Sequence, residues 1–539
     1  MSMYFIALKR YGLTQNSEMK LITGVRDRKM GVKIMLLVVF FSVMVGVGIY
    51  SRRHTRSVDG FVLGGRSVGP WLTAFAYGTS YFSAVVFVGY AGQFGWKYGI
   101  ASTWIGIGNA VLGSLLAWVV LGRRTKVMTQ HLKSRTMPDF FGTRYESKAL
   151  KIAASLIVFV FLIPYTASVY NGLSRLFEMA FHIPYTYCVV VMALFTAVYV
   201  ILGGYMATAI NDFIQGIIML IGIIVVIVSV LNGQGGFMEA IRMMSEIPSD
   251  VAVTQGQPGA FTSFFGPDPV NLLGVILLTS LGTWGLPQMI GKFYAIKDEK
   301  AINTGTVIST LFAVVVAGGS YFLGGFGRLF DHPEIYNQET GAVVYDSIVP
   351  HMLSGLPDIL IGIVVVLVLS ASMSTLSSLV LTSSSTMTLD LLKDHVIKKM
   401  SEKKQVVTMQ LLIVVFLVIS VVIALDPPTF IAQLMGISWG ALAGAFLAPF
   451  LYGLYWKRVT KSAVWASFIS GVGITVSNLF IGYISSPINA GAVAMLAGLA
   501  IVPIVSVLTP KPDAEKMNSL FACYEEKVMI TKKRSLEVK

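Results

Sequence analysis

Six hydroxyls crowd into ten residues, Leu369-Ser370-Ala371-Ser372-Met373-Ser374-Thr375-Leu376-Ser377-Ser378, inside an apolar run from Ile359 to Met387. On a helix, Ala371, Ser374, Thr375 and Ser378 fall at i, i+3, i+4 and i+7 and form one stripe, bordered by Ser377. Neutral oxygens lined up at mid-membrane depth are what a dehydrated alkali cation needs. Small Ser, Thr and Ala residues also let two helices approach closely, and the spacing alone leaves both readings open. A second chemical group is Asp212, the carboxylate that stands clearly inside an apolar span. An acid at that depth is costly and marks an ion or proton path by default; the alternative is a shallow, solvated position near the headgroups.

The elements that must position these groups are membrane helices. The 539 residues are 55% hydrophobic and 13% charged, with mean hydropathy +0.73. A bilayer core about 30 Å thick needs about 20 apolar residues per helical crossing, and such runs repeat almost from end to end. The chain therefore reads as an all-α polytopic membrane protein. The runs are continuous rather than alternating, which excludes a β-barrel. Two cysteines, Cys188 and Cys523, imply neither a disulfide framework nor a thiolate metal site. No Ser/His/Asp order, metal cluster or phosphate loop points to an enzyme.

Thirteen spans are expected, at about 32–50, 71–94, 101–122, 152–173, 184–202, 205–231, 270–291, 303–324, 359–389, 406–425, 429–454, 463–484 and 488–508. They divide the chain into an N-terminal tail (1–31), a transporter domain (32–508) and a C-terminal tail (509–539). Basic loops alternate with non-basic ones: Arg52 to Arg66, Arg123 to Lys151, Lys292 to Lys300, Lys393 to Lys404 and Lys457 to Lys461 share one side. Positive loops are cytoplasmic, so the first span runs inward and the C-terminus is cytoplasmic. The net charge of +14 is a topology signal rather than a nucleic-acid surface. The basic N-terminal tail then falls outside, against the rule, unless native translation starts at Met19 or Met30.

Transporters bind solutes where helices unwind near the midplane, in corresponding places of two halves. The second span has Gly78-Thr79-Ser80, and the seventh has Gly282-Thr283-Trp284-Gly285-Leu286-Pro287. They lie five spans apart, and an odd interval makes the two copies inverted. Spans two to six and seven to eleven would each be headed by a broken helix.

These residues resemble the sodium:solute symporter family over about residues 32–508. The resemblance rests on Gly65-Arg66-Ser67-Val68-Gly69-Pro70, Pro138-Asp139-Phe140, Gly203-Gly204 through Asp212 and Gln215, Gly285-Leu286-Pro287-Gln288 with Phe293, Met373-Ser374-Thr375-Leu376-Ser377, and Gly453-Leu454-Tyr455-Trp456. It implies a five-plus-five inverted-repeat (LeuT-like) core. It further implies a sodium site built from the main-chain carbonyls of Thr79, Phe82 and Ala371 with the hydroxyls of Ser374 and Thr375. A second sodium, as in some members, would use Asp212, Ser374, Ser377 and Ser378. Proline-transporting members have an acid where Tyr81 stands here, and aromatics at Thr279 and Thr283. The run Thr79 to Ala84 and Lys97-Tyr98-Gly99 look more like the pantothenate-transporting members. Candidates for lining the substrate cavity are Tyr77, Tyr81, Gln93, Tyr165, Trp284 and Gln288, each of which serves equally well as packing.

The expected function is sodium-coupled symport of a small organic solute: a carboxylate such as pantothenate, an amino acid such as proline, or a monocarboxylate. Na+ is the coupling ion, with no organic cofactor. The partners are the small-molecule substrate and the lipid bilayer of the plasma membrane; no protein partner is legible. The rivals are a proton-coupled carrier of the same fold and a transporter-like membrane sensor.

Overall fold

A computed structural model describes residues 15–181, 183–397 and 400–525; residues 1–14 and 526–539, the outer parts of the expected tails, lie outside the described residues. Helices dominate, and the two β-bridges among the described residues are isolated, Val68 with Ile296 and Tyr336 with Val343. Among the described residues, ten helices are long and apolar enough to cross a membrane. The pair Pro269–Gly285 and Pro287–Ala295, bent by 46°, makes an eleventh if counted as one span. Two of the ten are 47 and 49 residues long, Val85–His131 and Tyr185–Gly233. Each has length for two passes, and each reverses at a glycine.

Those reversals have a local cause. Gly99 (φ 59°, ψ −141°) turns the first. Gly204 (φ 52°, ψ −148°) turns the second, between the spans expected at 184–202 and 205–231. A side chain tolerates this backbone poorly, and a Cβ on Gly204 would also sit 2.8 Å from the Phe61 carbonyl oxygen.

Two helices break without reversing. Pro70–Tyr81 ends at Phe82 (φ −90°, ψ 113°), and the chain resumes at Val85. Pro269–Leu281 and its extension to Gly285 end at Leu286 (φ −89°, ψ 119°), and Pro287 starts the next helix. The first break falls one turn later than Gly78-Thr79-Ser80. Gly78 stays helical because its small size serves packing: a Cβ there would lie 2.4 Å from the Phe312 ring. The lead-in to the first broken helix lies beside the exit from the second, where Val68 N donates to Ala295 O (3.1 Å) and Lys297 N to Val68 O (3.0 Å).

The hydroxyl-rich helix Asp358–Thr386 and Ile431–Tyr455 are the most enclosed spans, with 72% and 89% of their apolar windows buried. The Pro138-Asp139-Phe140 motif opens helix Met137–Arg144, which Thr136 caps at Asp139 N (3.1 Å). Asp139 then holds Lys151 (2.7 Å).

Helix approach depends on glycine at one crossing above others. Gly95 and Gly324 face each other so closely that a Cβ on Gly95 would lie 1.8 Å from Gly324 O, whereas a Cβ on Gly46 meets nothing within 4 Å. Overpacking at a tight site costs roughly 1–3 kcal/mol or more. Gly95→Ala is expected to lower the melting temperature of the purified protein in detergent by several degrees, and Gly46→Ala to leave it unchanged.

Candidate ion-binding site

The break at Phe82 strips backbone groups of their helical partners. The hydroxyl-rich helix meets both sides of the gap. On the outgoing side, Ser372 Oγ accepts from Ala84 N (3.3 Å). On the incoming side, the carbonyls of Thr79 and Phe82 face Ser374 and Thr375. Ser374 Oγ lies 3.2 Å from Thr79 O and 3.0 Å from Ala371 O. Thr375 Oγ1 lies 3.1 Å from Thr79 O, 3.3 Å from Phe82 O and 3.1 Å from Ala371 O. All five residues expected from the resemblance therefore converge, and all are at most 1% exposed.

The proton count gives this cluster its chemistry. A hydroxyl carries one proton, so two protons serve five oxygen–oxygen contacts. The surplus lone pairs, three carbonyl and two hydroxyl oxygens with no formal charge, suit a bare monovalent cation. The small-residue packing reading is met at the same place, since the hydroxyls also bring the two helices together.

The second expected set is arranged differently. Ser374 directs its hydroxyl into the first cluster, and Ser377 Oγ donates to Ser374 O (2.9 Å) on its own helix. Asp212 is fully buried, and neither carboxylate oxygen has a hydrogen-bond partner. Lys292 Nζ lies 3.8 Å from Asp212 Oδ2, with the side chains 4% and 0% exposed. The same ammonium donates to Ser378 Oγ at 3.0 Å and sits 5.3 Å from the Tyr205 ring centroid. Ser378 Oγ in turn is 2.9 Å from Ser80 Oγ, whose proton goes to Ala76 O. Lys292 had the sequence signature of a loop residue flanking a span. The structure corrects this: past the 46° bend at Leu286, helix Pro287–Ala295 stays packed within the protein and buries it.

The six substrate candidates do not share one cavity. Tyr77 donates to Gly113 O (2.8 Å) and packs its ring against Trp118 and Phe293. Trp284 Nε1 donates to Leu112 O (2.9 Å). Both polar tips are held by carbonyls of the helix they pack on. Gln93 lines a cleft of about 420 Å³ with Lys97, Tyr98, Arg328 and Tyr345, while Gln288 lines a narrow one of about 40 Å³ with Lys292 and Ser378. Tyr165 lies against Trp439, ring centroids 5.9 Å apart. The Tyr81 side chain lies outside the described residues.

Sequence reasoning missed other groups near the segment that follows the break at Phe82. Tyr90 Oη, Asn171 Oδ1 and Trp439 Nε1 are buried without hydrogen-bond partners. Their only sequence signal was a polar atom within an apolar run, a signal too common to single them out.

Comparison with known proteins fits this geometry. The Staphylococcus aureus (strain JH9) sodium/proline symporter is 30% identical over 502 residues, covering 89% of this chain and 93% of the relative. A Na+-coupled sialic acid symporter solved in a substrate-bound outward-open state superposes with TM-score 0.74 at 15% identity, over 89% of this chain and 98% of that one. A nucleobase-cation-symport-1 family transporter in a closed conformation superposes with TM-score 0.50 at 12% identity, over 86% and 98%. The sequence profile of the sodium:solute symporter family matches residues 61–471. With a helix opened at Phe82 and neutral oxygens gathered round the opening, the chain is a multi-pass membrane protein and belongs to the sodium:solute symporters, secondary transporters rather than enzymes.

Proposed function

We propose that this symporter takes up a small organic solute together with sodium bound by Thr79 O, Phe82 O, Ala371 O, Ser374 Oγ and Thr375 Oγ1. The observation that carries the reading is the surplus of lone pairs at the broken helix. The ion draws the broken helix onto the hydroxyl-rich one and thereby shapes the space beside it for the solute. The two halves then rock, and sodium and solute leave on the other side. Moving one charge through about 100 mV supplies roughly 2.3 kcal/mol. A tenfold sodium gradient adds about 1.4 kcal/mol, enough together for accumulation of several hundredfold per ion.

The proposed topology has thirteen crossings. Ten long helices and one bent pair make eleven, and the turns at Gly99 and Gly204 each divide one helix into two, giving thirteen. A five-plus-five inverted repeat is supported by the matched backbone at Phe82 and Leu286 and by the side-by-side start of one broken helix and exit of the other. The basic loops put the C-terminus in the cytoplasm of a plasma-membrane protein. In that orientation the 420 Å³ cleft at Gln93 and Lys97 faces outward and the narrow cleft at Lys292 inward.

The substrate is proposed only as a class, a small carboxylate. Proline stays in it because the Staphylococcus aureus relative is named for it. Thr279 and Thr283 weigh against proline, since they stand where the resemblance gives proline-transporting members aromatics. Pantothenate and monocarboxylates remain in the class.

Two measurements test the coupling. Sodium, but not potassium or choline, is expected to raise the melting temperature of the wild type. In Ser374→Ala and in Thr375→Ala the sodium concentration for half that rise increases more than tenfold, and in the double variant the rise disappears. Unaltered sodium stabilisation in the double variant overturns the site. In proteoliposomes screened with proline, pantothenate and monocarboxylates, an inward sodium gradient is expected to drive uptake. A proton gradient in sodium-free buffer is expected to drive none, whereas a proton-coupled carrier working through Asp212 would give the reverse.

A further inference from the structure

The Asp212 carboxylate already has a cation. Among the described ion pairs, Lys292 with Asp212 is the one in which both side chains are under a tenth exposed. The ammonium is enclosed by three kinds of cation-binding group: the carboxylate at 3.8 Å, the Ser378 hydroxyl at 3.0 Å and the face of Tyr205 at 5.3 Å. Two of these, Asp212 and Ser378, are half of the set that a second sodium would need. The remaining two, Ser374 and Ser377, donate their protons to carbonyls of their own helix and keep lone pairs for a cation, so the lysine is what occupies the position. A sodium added beside Lys292 would put two monocations against one carboxylate in a buried site, which nothing else there compensates.

We propose that Lys292 is the permanent counter-ion of Asp212, standing where a second sodium would bind, and that it limits the carrier to one sodium per cycle. The inference rests on the sodium site proposed above, which remains the single exchangeable position. It makes Lys292 a determinant of coupling stoichiometry. Its chemistry follows from being tethered: a covalently held ammonium beside Asp212 cannot be lost to either bath. The Lys292–Ser378–Ser80 chain also joins the second broken helix, the hydroxyl-rich helix and the inner half of the first, so the fixed charge holds all three together beneath the proposed site.

The test counts sodium ions on the purified full-length protein with radioactive sodium at saturation, which needs no knowledge of the substrate. The wild type is expected to bind one sodium with a Hill coefficient near 1. Lys292→Met, similar in length and uncharged, is expected to bind two. Lys292→Met with Asp212→Asn returns to one, and Lys292→Arg stays at one. Ser374→Ala with Thr375→Ala binds none in the wild-type background. Two sodium ions on the wild type, falling to one in Asp212→Asn, overturn the inference and leave the first site intact. A single sodium in a Lys292→Met protein that elutes as the wild type on size exclusion also overturns it. No sodium on the wild type overturns the proposed site itself, a separate failure.

Discussion

A helix that opens inside a membrane protein leaves backbone groups that no bulk water can satisfy. A buried polar group without a partner costs about 1–3 kcal/mol, so the gap at Phe82 persists only because something answers it. Here one helix answers both sides, with Ser372 accepting from the outgoing amide and Ser374 and Thr375 facing the incoming carbonyls. The answer is incomplete in one sense only: oxygen lone pairs outnumber protons. The same feature is a structural deficit without a cation and a binding site with one. On the proposed reading, binding and helix docking are one event, which is the condition for an ion to control the shape of the pocket beside it.

The second break shows what the first would be without those oxygens. Leu286 adopts nearly the same backbone as Phe82, but its neighbours are apolar. A Cβ on Gly285 would lie 2.8 Å from Ala443 Cα and 2.9 Å from Leu447 N, so this stretch is pressed against Ile431–Tyr455. The geometry is repeated while the chemistry is not. Near this break the charged group is Lys292, carried inward by the bend and spent on Asp212.

Much of the fold and of the first cluster could be read in one dimension, because hydrophobic runs, the Gly203-Gly204 turn and Pro287 act locally. The hydroxyl stripe was visible for the same reason, since helical spacing alone puts Ala371, Ser374 and Thr375 on one face. What could not be read depends on neighbours distant in sequence. Gly78 marks a close approach of Phe312 rather than a break. Lys292 follows an apolar run just as a headgroup-anchoring lysine would, and only the burial of its helix among distant neighbours distinguishes the two. Tyr77 and Trp284 carry polar tips suited to a substrate, yet both find backbone carbonyls at Gly113 and Leu112. Aromatic residues in a membrane core satisfy such tips wherever they can, so residue type alone does not separate lining from packing.

The division between a neutral site and a charged one follows from the need to return empty. Sodium held by carbonyls and hydroxyls leaves behind no net charge when it departs. Sodium held by Asp212 would leave a bare carboxylate buried, at a cost of several kcal/mol, unless a proton or another cation replaced it. Ser374 and Ser378 stand four residues apart, about 6 Å along one helix, and serve these two regimes. Above, the Ser374 hydroxyl faces uncharged oxygens that can exchange their ion. Below, Ser378 holds a lysine that cannot leave. On the proposed reading, the carrier changes conformation in loaded or empty form with its buried carboxylate compensated by Lys292, and the exchangeable charge is confined to the ion that the gradient drives.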